Sequence, residues 1–313
     1  MIKRSFVYLQ LLLITVLAGC SLFQESLTLE QRTEVLIVQQ NTNADLTQEN
    51  KQTLKVISLN LAHGRKLSFN QLFVNEEAFR RNLLDIAEYL KKENADVVAL
   101  QEADQASSWS GNFNHVEFLA EAAGYPWFVS AVHVDNSFGT YGTAILSKIP
   151  IENALGFTFA PTPPTTSKGY SLIQIGWDID NESDNTQQNI LIYIVSVHLD
   201  FSRKSKREAQ LDELALTLAT RDNAAIILGD FNSEWLSEEK VIQKFAEHGR
   251  YRAYQPEVDA FHSYSNKRLD WALVSTELEF TDYFVADEEL SDHKPVVVQL
   301  RHFNAEDVAA SNW

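Results

Sequence analysis

A single cysteine among 313 residues, Cys20, leaves no partner with which a disulfide could form inside the chain. Metal sites built on several thiolates are excluded with it. Glycine (11) and proline (7) are sparse while 45% of the residues are hydrophobic, which rules out collagen-like and disordered chains. Positive charge is short as well: 26 Lys and Arg stand against 43 Asp and Glu, a formal net charge of −17. Proteins that hold nucleic acid by counterion release need a positive field, so that class is disfavoured. A nuclease that binds transiently through a local basic lip is not excluded. The chain contains no Gly-x-x-x-x-Gly-Lys-Ser/Thr phosphate loop, no Gly-x-Ser-x-Gly elbow and no His-Glu-x-x-His zinc motif. What remains is enough apolar surface for a single domain above about 200 residues.

The N-terminus carries a targeting pattern. Lys3 and Arg4 precede an apolar run from Phe6 to Leu17, which ends in Leu17-Ala18-Gly19-Cys20. A basic flank, a short apolar core and small residues at its end read as a signal peptide rather than a membrane span. The tetrapeptide resembles the bacterial lipobox, which implies removal of residues 1–19 and lipidation of Cys20. The mature chain would then keep 24 bases against 43 acids, −19, so the acyl chains and not surface charge would hold it to a membrane. The expected location is the bacterial cell envelope. Ser21, in place of an aspartate after the cysteine, points to the outer membrane if the host is Gram-negative.

Residues 20–53 are polar and rich in Gln and Asn, and read as a tether with a short helix near 29–38. The globular part is expected over 54–302, followed by a tail at 303–313. Within it, strand-like runs recur at "LKVISLNLA", "DVVALQE", "YPWFVSAVHV", "GTAILSKIPI", "SLIQIGWDI", "NILIYIVSVHLDF", "AAIILGDFN", "RLDWALVS", "FTDYFVA" and "PVVVQL". Helical spacing appears at Phe79, Leu83, Ile86, Ala87 and Leu90, around 115–123, from about 206 to 220, and over roughly 237–247. Many strands with few helices predict an α/β fold in which sheets pack face to face and helices lie outside.

The polar residues fall at strand ends. Asn60, Glu102 and His198 close three runs, Asp230 and Asn232 close a fourth, Asp270 opens another, and Asp292 and His293 precede the last. Each alone has a plain explanation, because Asx residues finish strands and open turns. Collected at one edge, several carboxylates with amides and imidazoles and no thiolate suit a hard, oxygen-seeking divalent cation such as Mg²⁺, with Mn²⁺ as the alternative.

The segments "SLNLAHG", "VVALQEAD", "YGTAILSKIP", "VSVHLDF", "LGDFNS", "RLDWALVS" and "LSDHKPVVVQL" follow, in order, the motifs of the endonuclease/exonuclease/phosphatase family. The resemblance spans about 54–301. It implies a four-layer α/β/β/α sandwich of two mixed β-sheets, with the site at one edge. It also implies Glu102 as the principal Mg²⁺ ligand, with Asn60 and Asp292 close to the metal. Asp230 would orient or deprotonate the attacking water, and Asn232 would position the phosphate. His293 would contact the scissile phosphate with Asp270 fixing its orientation, and His198 would supply a second phosphate contact or proton donor.

The implied activity is divalent-metal-dependent hydrolysis of a phosphodiester or phosphomonoester by in-line attack of water. Substrate class stays open. Glu102 is followed by Ala103-Asp104 where pancreatic-type nucleases carry an arginine, and "LSDHKP" lacks the longer basic signature of the 5-phosphatases. A phospholipid or sphingolipid headgroup suits a lipid-tethered enzyme. An envelope-tethered nuclease and a catalytically silent binding lipoprotein are the alternatives. The basic cluster "SRKSKR" makes Arg203 and Lys204 candidates for an anionic substrate, since bases at a helix start oppose the helix dipole and local stability does not explain them. His63 either reaches the site or caps a turn. A monomer is expected.

Overall fold

The computed structural model describes residues 32–33, 35–40, 52–137, 139–181 and 186–303. The expected signal peptide, Cys20 and most of the expected tether and tail lie outside them. The chain divides by contacts into Met1–Arg32 and a compact unit, Thr33–Trp313, which carries the fold described below.

In chain order the strands and helices are β1 (Arg32–Thr33), β2 (Ile37–Gln39), β3 (Leu54–Asn60), α1 (Glu76–Glu93), β4 (Val97–Asp104), α2 (His115–Ala123), β5 (Trp127–Asp135) and β6 (Thr140–Ser147). There follow β7 (Ile151–Thr158), β8 (Gly169–Asn181), β9 (Thr186–His198), α3 (Lys204–Leu218), β10 (Ala225–Asp230) and α4 (Val241–Gly249). The chain closes with β11 (Tyr251–Ala253), β12 (Asp270–Ser275), β13 (Leu278–Val285) and β14 (Val296–His302). They form two seven-stranded sheets, ordered β1-β7-β8-β9-β10-β12-β11 and β13-β14-β3-β4-β6-β5-β2. A central pair is parallel in each, β9/β10 in the first and β3/β4 in the second, and antiparallel pairs flank it on both sides.

Three cores make this a four-layer sandwich. Between the sheets lie Val56, Ile226, Leu228 and Val298. Behind the second sheet, Ile57 and Leu59 pack on Leu83, Ile86 and Leu90 of α1 and Leu119 of α2. Behind the first sheet, Ile227 packs on Leu214 of α3 and Phe245 of α4. Successive residues of β10 therefore enter different cores, which is why "IIL" reads as an unbroken apolar run. Only its end is free to be polar.

Several elements differ from the expectation. The segment read as tether and short helix supplies Ile37–Gln39, hydrogen-bonded to β5 as an edge strand. The strand-like run "GTAILSKIPI" is divided between two strands in two sheets. β6 ends at Ser147, and the chain crosses at Lys148–Pro150 to begin β7, whose mixed pattern hides a strand exposed on one side. The helix expected near 237–247 starts at Val241, because Ser237 to Lys240 form a turn ending in Lys240 with φ 52°. The helix expected from 206 starts at Lys204. Asn94 ends α1 in the left-handed conformation, as an asparagine readily does.

Candidate active site

Strand register places the polar groups abreast. Asp230 of β10 lies opposite His198 of the parallel strand β9 and opposite Asp270 of the antiparallel strand β12. The close approach of β9 and β10 requires glycine at 229, since a Cβ there would stand 1.9 Å from the Val197 carbonyl oxygen and φ is 147°. In the facing sheet, Asn60 ends β3 beside Gln101 of β4. The register of β4 slips between Leu100 and Ala103, and Glu102 sits in this bulge with φ 47°. A bulge re-aims a side chain that would otherwise follow the sheet's alternation, here that of Glu102.

Two buried links join the sheets at this edge. Gln101 Nε2 donates to Ser196 Oγ at 2.9 Å, and Ser196 Oγ donates to the Leu100 carbonyl at 2.8 Å. Asn60 Nδ2 donates to Asp230 Oδ2 at 3.2 Å, while Asn60 Oδ1 accepts from the Ala62 amide at 2.9 Å.

Asp230 is the centre of the cluster. Its Oδ2 lies 3.5 Å from His198 Nε2 and 3.8 Å from His293 Nε2, and its Oδ1 accepts from the Asn232 amide at 2.9 Å. Burial pushes its carboxyl up to about 7, with Asp270 adding to the effect and His293 opposing it. His293 Nδ1 pairs with Asp270 Oδ2 at 2.7 Å. Burial alone would lower His293, but Asp270 and Asp230 outweigh it and hold the imidazole up to about 10, a cation at neutral pH. His198 is pushed well down by burial and by Lys168, so it is neutral. The two imidazoles thus differ in charge, as a site with distinct donor roles needs. Asn232 Nδ2 donates to the Leu199 carbonyl at 3.0 Å, and its backbone is left-handed with φ 49°.

Glu102 receives no hydrogen bond from the described residues. Its carboxylate lies 3.5 Å from His63 Nε2 and 4.0 Å from His198 Nε2. Burial would raise its pKa, yet His63, Lys168, His198 and His293 together lower it to about 2. An ionised carboxylate without a hydrogen-bond donor, its side chain 22% exposed, fits a divalent cation held by oxygen. Asp230, Asp270 and His293 also present atoms within 4.8 Å of one another. That trio's closest contact is the Asp270–His293 hydrogen bond, so it reads as a base beside a carboxylate–imidazole pair rather than a cage. Glu102 is the better anchor for a metal. Asp292 is engaged by Arg65, whose Nη2 lies 2.5 Å from Asp292 Oδ2.

His63 does reach the site. It sits in a 3₁₀ turn, Ala62–Gly64, with φ 56°, and its Nδ1 pairs with Asp104 Oδ1 at 2.8 Å. Trp109 Nε1 donates to the other oxygen of the fully buried Asp104 at 3.1 Å. The site therefore has two carboxylate–imidazole pairs, Asp270–His293 and Asp104–His63. Lys168, buried and just ahead of Gly169 beside His198, contributes a positive field at Glu102, His63 and His198.

Arg203 and Lys204 do not join the cluster. Arg203 donates from Nη1 to the Pro163 carbonyl at 3.0 Å and from Nη2 to the Thr162 carbonyl at 2.5 Å, pinning the loop before β8. Lys204 lies on the surface 3.9 Å from Glu208. The basic start of α3 is offset by Asp200, whose Oδ1 accepts the amides of Ser202 and Arg203. Arg207 and Gln210 are buried, donating to the Asp200 carbonyl and accepting from its amide. The residues that sequence reasoning passed over are Asp104, Lys168 and Arg65. Asp104 closes the motif "VVALQEAD" and Lys168 lies just before the run "SLIQIGWDI", but only tertiary packing gives them partners.

A profile of the Endonuclease/Exonuclease/phosphatase family matches residues 57–293, from β3 to the imidazole of the Asp270–His293 pair. The chain belongs to this family. Family members are in general hydrolases of phosphate esters, and the family is typically dependent on divalent metal. Among solved structures, an endonuclease/exonuclease/phosphatase family protein from Leptotrichia buccalis is similar at 19% identity and TM-score 0.60, over 79% of this chain and 99% of that one. A mannosyl-6-phosphatase from Bacteroides thetaiotaomicron matches at 17% identity and TM-score 0.53, over 79% and 99%. Sphingomyelinase C from Streptomyces griseocarneus matches at 17% identity and TM-score 0.55, over 80% and 99%. At these identities the likeness is one of fold. A search of curated protein sequences finds no match.

Proposed function

We propose that this member of the family hydrolyses a phosphodiester by direct in-line attack of water, with Mg²⁺ as its metal and a phospholipid or sphingolipid headgroup as its substrate. The observation that carries the reading is Asp230, a buried carboxyl raised to about 7 and set between a neutral His198 and a charged His293. A base poised near the working pH is the effective one. Asp230 Oδ2 takes a proton from the attacking water, and Asn60 Nδ2 keeps that oxygen oriented. His293, fixed through Nδ1 by Asp270, presents Nε2–H to the charge that develops on a non-bridging phosphoryl oxygen. Asn232 keeps one amide hydrogen on Leu199 and has another for the phosphate. His198 Nε2 lies within reach of both Asp230 and Glu102 and supplies the second contact at the reacting group.

Glu102 would hold the cation, with Asn60 Oδ1 and Asp292 beside it. When bound, the cation neutralises phosphate charge and orients the attacked group. The lipid substrate is supported by the resemblance of Leu17-Ala18-Gly19-Cys20 to a lipobox and by a fold neighbour that is a sphingomyelinase. The net charge of −17 weighs against a dedicated nuclease.

The test is a panel of bis-p-nitrophenyl phosphate, sphingomyelin, phosphatidylinositol and plasmid DNA, each with and without EDTA, on wild type, Glu102→Gln and His293→Ala. Turnover of bis-p-nitrophenyl phosphate and one lipid, abolished by EDTA and by both substitutions, is the expected result. Undiminished metal-dependent hydrolysis in either variant overturns the assignment of roles. Turnover of DNA alone overturns the substrate class, and no turnover of any substrate favours a binding lipoprotein.

A further inference from the structure

Between β3 and α1 the chain forms a short loop that carries apolar side chains outward. Phe69 is 92% exposed, Phe73 78%, Leu72 71% and Leu67 54%. Four large apolar side chains within seven residues, all facing water, make a concentrated cost that a soluble surface normally avoids. The loop is braced in this shape. Ser68 N donates to Arg65 O at 3.1 Å, Leu72 N to Asn70 Oδ1 at 2.9 Å, Phe73 N to Asn70 O at 3.1 Å and Val74 N to Gln71 O at 3.0 Å. With its polar backbone tied down, the loop has its apolar tips held apart from the domain.

Its position is defined by one guanidinium. Arg65 donates from Nη1 to the Ser68 carbonyl at 2.6 Å and from Nη2 to Asp292 Oδ2 at 2.5 Å. The residue before Phe69 is thus one arginine head away from Asp292 of the candidate site. Other loops leaving the site-bearing strand ends are also apolar at their tips, with Phe201 63% exposed three residues after His198 and Leu236 63% exposed four after Asn232. A basic side chain accompanies them: Lys204 is exposed at the start of α3, in a chain whose net charge is −17.

We propose that Leu67–Phe73 is an interfacial docking loop that inserts Phe69, Leu72 and Phe73 into the surface of a lipid bilayer, with the active site facing the headgroups. The occupant is a bilayer rather than a folded partner because the exposed apolar side chains stand on three separate loops, after β3, β9 and β10, that leave the edge carrying the site. Projecting tips gain contact on all sides only in a phase that deforms around them. Aromatic tips match an apolar bilayer interior, and the exposed Lys204, three residues after Phe201, matches anionic headgroups above it. The inference rests on the lipid-headgroup reading for its purpose, but docking itself is measurable without catalysis.

Cys20 is the only cysteine, so the full chain with Cys20→Ser accepts a single label at Phe69→Cys, or at Lys91→Cys near the end of α1 as control. An environment-sensitive fluorophore at 69 should shift to the blue, and be quenched by nitroxide lipid, on addition of vesicles of phosphatidylcholine and phosphatidylglycerol, while the label at 91 stays unchanged. Vesicle-bound protein with no shift at 69, or no vesicle binding at all, overturns the proposal. So does a sedimentation experiment in which Phe69→Ser turns a dimer into a monomer without any vesicle response, since the loop would then join two copies. In the second arm, Phe69→Ser/Phe73→Ser should lose at least about tenfold in vesicle partitioning and in turnover of vesicle lipid, yet keep wild-type hydrolysis of soluble bis-p-nitrophenyl phosphate, which also reports an intact fold. If wild type turns over neither substrate, the functional reading fails while the fluorescence still decides the docking.

Discussion

Replacing Asp230 by Asn should abolish hydrolysis and at the same time stabilise the metal-free protein at alkaline pH. The carboxyl is raised from an ordinary 3.8 to about 7 in the fold, so the folded state keeps a proton that the unfolded chain gives up. Such a group stabilises below its unfolded pKa, and that contribution falls as pH rises, until the folded pKa is passed. From about pH 5.5 up to about 7 the unfolded carboxyl is already ionised while the folded one still holds its proton, so the loss accrues there and levels off once pH passes 7. The wild type should lose about 2 kcal/mol of stability over that interval from Asp230. His293, held up to about 10, adds a loss of the same sign, because its unfolded counterpart deprotonates near 6.5. Asp230→Asn removes the first component and part of the second, since Asp230 is one of the groups that raise His293. It also keeps an acceptor for the Asn232 amide. Urea titrations of both proteins in EDTA at the two pH values measure the difference directly. Catalysis should fall by at least about 100-fold, as expected for a lost general base. A variant whose stability falls with pH as steeply as the wild type's, or one that still hydrolyses at the wild-type rate, refutes the assignment of Asp230 as a buried, proton-retaining base.

Gly229→Ala should destabilise by about 3 kcal/mol or more, because the added Cβ meets the Val197 carbonyl and the backbone is left-handed; a melting temperature within a degree or two of wild type would contradict the register described for β9 and β10. Lys168→Met should raise KM for an anionic substrate by about tenfold while lowering the Mg²⁺ concentration needed, since removing a cation near Glu102 weakens the competition for it; metal titrations of the two proteins separate these effects. Arg203→Ala should lower the melting temperature and leave KM unchanged, because its guanidinium is held by the Thr162 and Pro163 carbonyls. An increase in KM would return Arg203 to the substrate.

The sequence is most informative where a strand is buried on both faces. In "IILGDFN" the residues before Gly229 enter two cores in turn, so the first polar residue marks the sheet edge and the site. The same logic places Glu102, His198 and Asn60 at the edge. It fails where a residue's meaning depends on what a distant loop brings to it. The charge of Arg203 is visible in the sequence, but two carbonyl oxygens forty residues upstream are not. Asp104 looks like an ordinary acid at the end of a motif until His63 and Trp109 close over it. Strand β2 escapes detection because Ile37–Gln39 is short, runs directly into Gln- and Asn-rich sequence, and pairs only at the edge of its sheet.

The Gln101–Ser196–Leu100 link, tying the two sheets together beside the cleft, bears on how such a protein could acquire new substrates. Buried polar bridges resist sliding, so the gap between Glu102 on one sheet and Asp230 on the other is a fixed gauge. Diversification would then leave the strand ends alone and proceed by exchanging the loops that leave them, each on its own. For protein engineering the molecule offers a rigid reaction chamber with replaceable fittings, and the loop at Leu67–Phe73 is the first to exchange.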